Sequence, residues 1–334
     1  MVSSTGHGHA SLKRVHYASG RFAVANIITA CAVKDPGLCN TRFLYLYLQH
    51  FKDELIVPLM KGTANVSLSQ RALATVPVAL PQLAEQRRIV DLIRVLDDAI
   101  EAAETQSSSA SSLARAARSA SFNRLSVSSP DTTAGQFFEV TLGRQKSARQ
   151  LHGNNELPYL RAANILPEAL RLTDVQTMHF DAREQEKYSL QVGDVLVVEG
   201  GSVGQTSVWN GEIDGPVCFD KHVLRLRGIP GQSLSQYAKQ WASWSYESGQ
   251  FLSEARGVTI KALGFQRAKG MKVPQATIEE QVATVEFLDS IDETVANTAA
   301  LVLHLAKSRA ELLTALFSGA HVIPASYDEV LPAS

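Results

Sequence analysis

The chain has 334 residues, 45% of them hydrophobic and 19% charged, which is enough for two cored domains. Its formal net charge of −1 excludes a globally basic, histone-like binder but leaves room for a basic face. Cys31, Cys39 and Cys218 show no CxxC spacing, which argues against a disulfide framework or a zinc knuckle and suits a reducing cytoplasm.

The N-terminus, MVSSTGHGH, lacks the charged-then-apolar pattern of a signal peptide. The most apolar run, Phe22–Val33, falls short of the ~20 residues that span a bilayer. A soluble, cytoplasmic protein with no membrane partner is expected. Residues 1–81 form a first unit. In it Val24–Val33 reads as a buried strand followed by the turn Asp35-Pro36-Gly37. Phe43–Lys52 reads as a helix, although Leu44–Leu48 alternates as a strand would. The corresponding segment Leu234–Tyr246 lacks that alternation and favours helix. Gly62–Ala79 reads as a loop and a strand.

Residues 82–125 form a long amphipathic helix, with Pro81 at its start, Glu85 in its first turn, and Ile89, Ile93, Leu96 and Ile100 at spacings of three and four. The serine run Ser107–Ser112 suits either a linker or a continued helix, and the helix is favoured because serine is only a mildly poor helix former. Residues 126–135 are a polar connector containing Pro130. Residues 136–275 form a second, complete unit, with strands expected at Phe137–Leu142, Val192–Val198, Thr206–Trp209 and His222–Leu226 and turns at Gly200-Gly201 and Asn210-Gly211. Mixed strands and helices make it α+β. Residues 276–320 are a second long helix, whose seam of Leu288, Ile291, Val295, Thr298, Val302, Leu305, Leu312 and Leu316 is interrupted by Arg309. About 40 residues make a rod of roughly 60 Å. Gly319 and Pro324 stop it, and residues 321–334 are an irregular tail.

The two long helices are copies. Val273–Ala299 repeats Leu80–Gln106 at an offset of 195, so that Glu85 falls on Glu280, Gln86 on Gln281, Asp97 on Asp292 and Ile100 on Val295. Upstream, Gly62 falls on Gly257, Leu68 on Leu263 and Val78 on Val273. One offset held over this length marks an internal duplication. By the same offset Met1 lines up inside a strand of the second copy, and Phe137 projects to about 60 residues before Met1. The first unit is therefore expected to correspond to the C-terminal half of its counterpart.

Enzymatic readings fail on spacing. No phosphate-binding Lys-Ser/Thr helix follows Gly200-Gly201-Ser202-Val203-Gly204, so a turn is expected there. His7-Gly8-His9 has no third ligand nearby. Asp194 and Glu199 lack the lysine of a nuclease, and Gly193-Asp194 reads as a turn before a buried strand. Asp97-Asp98 and Asp292-Glu293 suit a solvated or partner-facing helix surface, and Trp241 and Trp244 suit a core. What remains is two α/β units separated by two long antiparallel coiled-coil helices, an α+β chain with a pseudo-twofold internal repeat. Such a caliper suits duplex DNA, whose charge and spacing are regular.

LPQLAEQRRIVDLIRVLDDAI resembles the long helices of type I restriction–modification specificity subunits. VTLGRQKSARQ followed by LPYLRAANI resembles the start of a target recognition domain in that family, and SRAELLTALFSGAHVIP its C-terminus. The resemblance implies a non-catalytic subunit without a cofactor of its own. Each recognition domain would read one half of a split double-stranded DNA site, and the helices would set the gap. Methyltransferase subunits would dock on this scaffold carrying S-adenosylmethionine, and a restriction/translocase subunit would join for cleavage. The chain departs from the family pattern at its N-terminus. A truncated assembly scaffold, or a half-subunit with lost or partial recognition, is the alternative.

DNA contact calls for Lys and Arg on phosphates and for Arg, Lys, Asn or Gln on base edges. In the second unit Arg144, Lys146 and Arg149 cluster after the first strand. Tyr159, Arg161 and Asn164 lie in the YLRAAN motif, and Lys261, Gln266 and Arg267 precede the second rod. Arg161 and Asn164 could equally brace the fold through buried hydrogen bonds. The first unit offers Lys61, Asn65, Ser67 and Gln70.

Overall fold

The computed structural model describes residues 2–3, 15–24, 28–62, 67–145, 155–259 and 261–329. The chain divides into two compact units: Met1–Ser107 with Asn297–Ser334, and Ser108–Ala296. Both long helices contribute to each unit. No helix among the described residues is long and apolar enough to cross a membrane.

The first unit contains strands β1 (Val2–Ser3) and β2 (Ile28–Thr29), helices α1 (Thr41–His50) and α2 (Gln70–Leu73), and the start of the long helix α3 (Leu83–Ser128). Asn40 caps α1, its side-chain oxygen accepting from the backbone N–H groups of Arg42 and Phe43 at 2.8 and 3.1 Å. Phe43, Leu46 and Tyr47 then bury against Ile89 and Ile93 of α3 and against Leu313 and Leu316, near the end of the second long helix. Ile323, beyond that helix, closes the same cluster. Arg88 fixes the tail with a bidentate ion pair to Asp328 at 2.8 and 2.7 Å. Arg309, the break in the apolar seam, pairs with Asp97 at 2.5 Å. In this unit rising numbers on one long helix meet falling numbers on the other, so the pair is antiparallel.

Two expectations fail here. Within the described part of Val24–Val33 only Ile28–Thr29 is paired, and Val24 and Cys31 are exposed. A β-branched run makes a buried strand only where a sheet covers it, and here the partner is a two-residue strand. Gly62–Ala79 forms no ladder strand among the described residues. It turns into α2, because the Ser69 hydroxyl accepts from the Ala72 N–H at 3.1 Å and caps a helical turn.

The second unit runs β3 (Asp131–Thr133), α4 (Ala134–Phe137), β4 (Phe138–Leu142), β5 (Glu156–Leu160), β6 (Ile165–Leu166), β7 (Ala169–Leu170), β8 (Gln176–His179) and α5 (Ala182–Tyr188). It continues through β9 (Val195–Val198), β10 (Thr206–Val208), β11 (Cys218–Phe219), β12 (Val223–Gly228), α6 (Ser235–Glu247), α7 (Gln250–Glu254), α8 (Phe265–Gly270), β13 (Lys272–Pro274) and the start of α9 (Ile278–Phe317). A four-stranded antiparallel sheet has the order β10-β9-β12-β4, and a three-stranded sheet the order β11-β5-β8. Val195 and Val197 of β9 face the core that holds Trp241, Phe122 of α3 and Leu288 of α9, while Leu196 and Val198 face Leu160, Phe219 and Trp209. A strand buried on both faces reads as an unbroken apolar run, which is how Val195–Val198 reads. Each such side chain contributes roughly 1.5–3 kcal/mol by leaving water.

The connector expected at residues 126–135 is more ordered than its polarity suggests. The helix persists to Ser128, and β3 pairs with β13 across Thr132–Val273. Trp241 and Trp244 are core residues, with Trp244 stacked on Phe122 at 5.1 Å. Gly200–Gly204 is the turn of the β9–β10 hairpin, with Gly201 and Gly204 at positive φ.

Arg118 of α3 is 3% exposed and donates to Gln240, Glu247 and Asp292, joining α3, α6 and α9. Lys239 reaches the same Asp292 at 2.5 Å. Burial raises the Asp292 carboxyl, but the Lys239 ammonium and Arg118 guanidinium outweigh it and leave the group below its ordinary value.

The duplication is visible in the backbone. Gln86 and Gln281 are both fully buried. Gln86 accepts from the Asn40 N–H and donates to Leu38 and Pro81 carbonyls at 2.8–3.0 Å. Gln281 accepts from the Leu234 N–H and donates to Gln232 and Ala276 carbonyls, each at 2.9 Å. Helices α3 and α9 begin 195 residues apart, as do α2 and α8.

Candidate nucleic-acid interface

The register of the four-stranded sheet gathers several loops of the second unit at one rim. Leu142 at the end of β4 lies opposite Leu224, and Val198 at the end of β9 opposite Val223, both at the start of β12. Strand β11 ends beside β5, so the Asp220 N–H donates to the Leu160 carbonyl at 3.0 Å. The segments Gly143–Gln145, Glu199–Val203 and Asp220–His222 therefore meet, together with Arg256, Lys261 and Ala262. Backbone bonds tie them together: Lys221 N–H to Arg144 carbonyl, Glu199 N–H to His222 carbonyl, Gly201 N–H to Lys261 carbonyl and Leu263 N–H to Glu199 carbonyl, all 2.8–3.0 Å. Gly143 allows the close approach, since a Cβ there would lie 2.2 Å from the Asp220 carbonyl oxygen.

This rim carries exposed Gln145, Ser202, His222, Arg256, Thr259 and Lys261, with Lys221 half-buried beside them. Cations and small polar groups on a rigid, hydrogen-bonded loop platform suit phosphates and base edges.

The candidate residues divide by burial. Lys261, Gln266 and Arg267 are exposed, the last donating from Nε to the Leu263 carbonyl at 2.8 Å. In the first unit Lys61, Ser67 and Gln70 are exposed, and Lys61 and Ser67 exchange backbone hydrogen bonds at 3.0 and 2.9 Å. Lys146, Arg149 and Asn65 lie outside the described residues.

Three others are turned into the fold. Arg144 is 3% exposed, pairs with Glu184 at 2.7 Å, donates to the His179 carbonyl at 2.6 Å and lies over the Phe180 ring. Tyr159 is buried, its hydroxyl donating to Gln176 at 2.9 Å. Asn164, 1% exposed, accepts from the Arg161 N–H and donates to the Arg171 and Asp174 carbonyls. These are bracing contacts, and a side chain so committed would have to break them to reach DNA. Arg161 is intermediate: it pairs with Asp174 at 2.7 Å, while its buried Nε has no partner among the described residues.

Sequence reasoning missed Lys221, His222 and Arg256. The first two sit in a turn whose position depends on strand order, which no local pattern reveals. Arg256 had a signal: it precedes Gly257, one of the duplicated positions.

Comparisons with known proteins bear on the family and the fold. The model of the type I restriction modification DNA specificity domain matches residues 2–108 and 131–304. A Haemophilus influenzae protein named as a type I restriction enzyme specificity subunit is 23% identical over 318 residues, covering 90% of this chain and 76% of that protein. The type I restriction–modification S subunit of M. genitalium superposes with a TM-score of 0.52 at 16% identity, covering 85% of this chain and 74% of that one. A chain from a structure of type I complex assembly and conformational transition gives 0.52 at 18% identity, covering 85% and 72%. At these identities the structures speak for the fold, and the family match, which spans most of the chain, speaks for membership. The chain belongs to the type I restriction–modification DNA specificity family and is a DNA sequence-specificity subunit of such a complex.

Proposed function

We propose that the chain reads a split sequence in duplex DNA, one half through each unit, and performs no chemistry itself. The observation that carries this reading is the duplicated frame around Gln86 and Gln281, together with an exposed cationic loop in each copy. Two units built alike but bearing different loop residues suit two different half-sites. The rim around Lys261 supplies the contacts of the second unit, and Lys61, Ser67 and Gln70 supply those of the first. Methyltransferase subunits dock on the shared helices and bring S-adenosylmethionine, while a restriction/translocase subunit joins the assembled complex.

Selection from a random duplex pool by the complex of this chain with its methyltransferase subunit tests the reading. Two short conserved blocks separated by a fixed, unselected gap are expected. Uniform recovery of all sequences would overturn it and leave an assembly scaffold. A single block would assign recognition to one unit alone.

A further inference from the structure

Lys61 is the only lysine or arginine up to residue 139 whose counterpart 195 positions on is also basic, and that counterpart is Arg256. The structure puts the two in one backbone frame. Lys61 pairs with Ser67, and Arg256 with Ala262, as isolated antiparallel bridges. Gly62 and Gly257 follow the cations with φ of 123° and 124°, a region essentially reserved for glycine. Leu68 and Leu263 then anchor both frames in the cores. Between bridge ends the sequences differ at every position, Thr63-Ala64-Asn65-Val66 against Val258-Thr259-Ile260-Lys261.

Both cations are exposed, and neither has a carboxylate partner among the described residues. Among the described residues Arg256 donates from Nη1, to the Ser253 and Ala255 carbonyls at 2.9 and 3.2 Å, which leaves Nε and Nη2 for another acceptor. Within the second unit Arg256 stands on the hydrogen-bonded rim, beside Lys261.

Units that read different half-sites must differ where they touch base edges, but they can share whatever holds the phosphate backbone, because every sequence has the same phosphates. We infer that Lys61 and Arg256 are matched, sequence-independent phosphate contacts, one in each unit, which set the register of the neighbouring loop residues on the bases. The inference rests on the proposed reading that both units engage DNA. Arg256 can grip a phosphate bidentately, whereas Lys61 acts as a point charge.

The test uses the complex with the methyltransferase subunit and two duplexes, one carrying the selected motif and one with that motif scrambled. Binding is measured between about 0.05 and 0.2 M salt. Lys61→Ala and Arg256→Ala should each reduce the slope of log affinity against log salt by about 0.9, and the double variant by about 1.8. At 0.15 M salt each single change should weaken binding to both duplexes about fivefold. Lys61→Arg and Arg256→Lys should keep the slope, which separates loss of charge from loss of fold. The methylated motif should stay the same in every variant. An unchanged slope, or a loss confined to the motif duplex, would overturn the inference. A wild-type complex that binds both duplexes equally, with slopes still falling in the variants, would sink the specificity reading and leave the phosphate contacts standing.

Discussion

At the residue scale the second unit shows how burial decides chemistry. Cys218 is fully buried on β11, and burial pushes its thiol up to about 11. It should resist alkylation at pH 8 in the native chain while exposed Cys31 reacts. Mass spectrometry of iodoacetamide-treated protein reads this directly, and equal labelling of both would contradict the burial. Arg118→Met should destabilise the second unit by about 3 kcal/mol, because it removes the guanidinium that pairs with Glu247 and bonds Gln240 beside the core and leaves Asp292 with Lys239 alone of its two cations. Their carboxylates are each 23% exposed, which keeps the loss at the low end of the range for broken buried pairs. The depressed Asp292 carboxyl also sets a pH limb. A group whose folded-state pKa lies below the unfolded value, about 3.9, adds stability above that value and loses it as pH falls through the folded one. The urea midpoint should therefore drop below about pH 4, and Asp292→Asn should be less stable at pH 7 yet lose less on acidification. Equal acid losses in the two proteins would count against the network.

At the element scale, what the sequence revealed depended on how local its cause was. The long helices carry their own periodicity over tens of residues, so their starts at Leu83 and Ile278 were legible, as was the passage of α3 through the serine run. β9 was legible because its apolar run admits one buried strand. β5, β8 and β11 were not anticipated, because they lack an apolar run like that of β9 and take their stability from pairing within one sheet, β11 with the distant β5. The same limit bears on three of the candidate residues. Arg144, Tyr159 and Asn164 have the residue types of DNA contacts, yet their exposure is set by α5, by β8 and by the segment Arg171–Asp174 before β8, which local pattern does not place. Gln86 and Gln281 show the opposite case, since duplication alone marked them. Gln281→Ala leaves the Leu234 N–H and two carbonyls without their partner and should cost about 3 kcal/mol, with a similar loss for Gln86→Ala in the first unit. Urea titration followed by tryptophan fluorescence would report the former, because Trp241 and Trp244 lie in the second unit's core. A shift of less than about 1 kcal/mol would mean that water replaces the side chain at little cost.

At the scale of the whole molecule the duplication links sequence to function. A chain that contains one frame twice, with matched glutamines inside and a basic residue retained at the mouth of matched glycine turns, is suited to touching one kind of ligand in two places. The loop residues between the bridge ends differ, as two half-sites require. On the proposed reading, this duplicated frame recognises two separated half-sequences. Co-expression with the methyltransferase subunit from the same source, followed by mapping of methylated adenines across the host genome, tests it most directly. Methylation is expected within a split motif with two unlike halves and a constant gap. Methylation at a single uninterrupted motif, or a stable complex that methylates nothing, would contradict it.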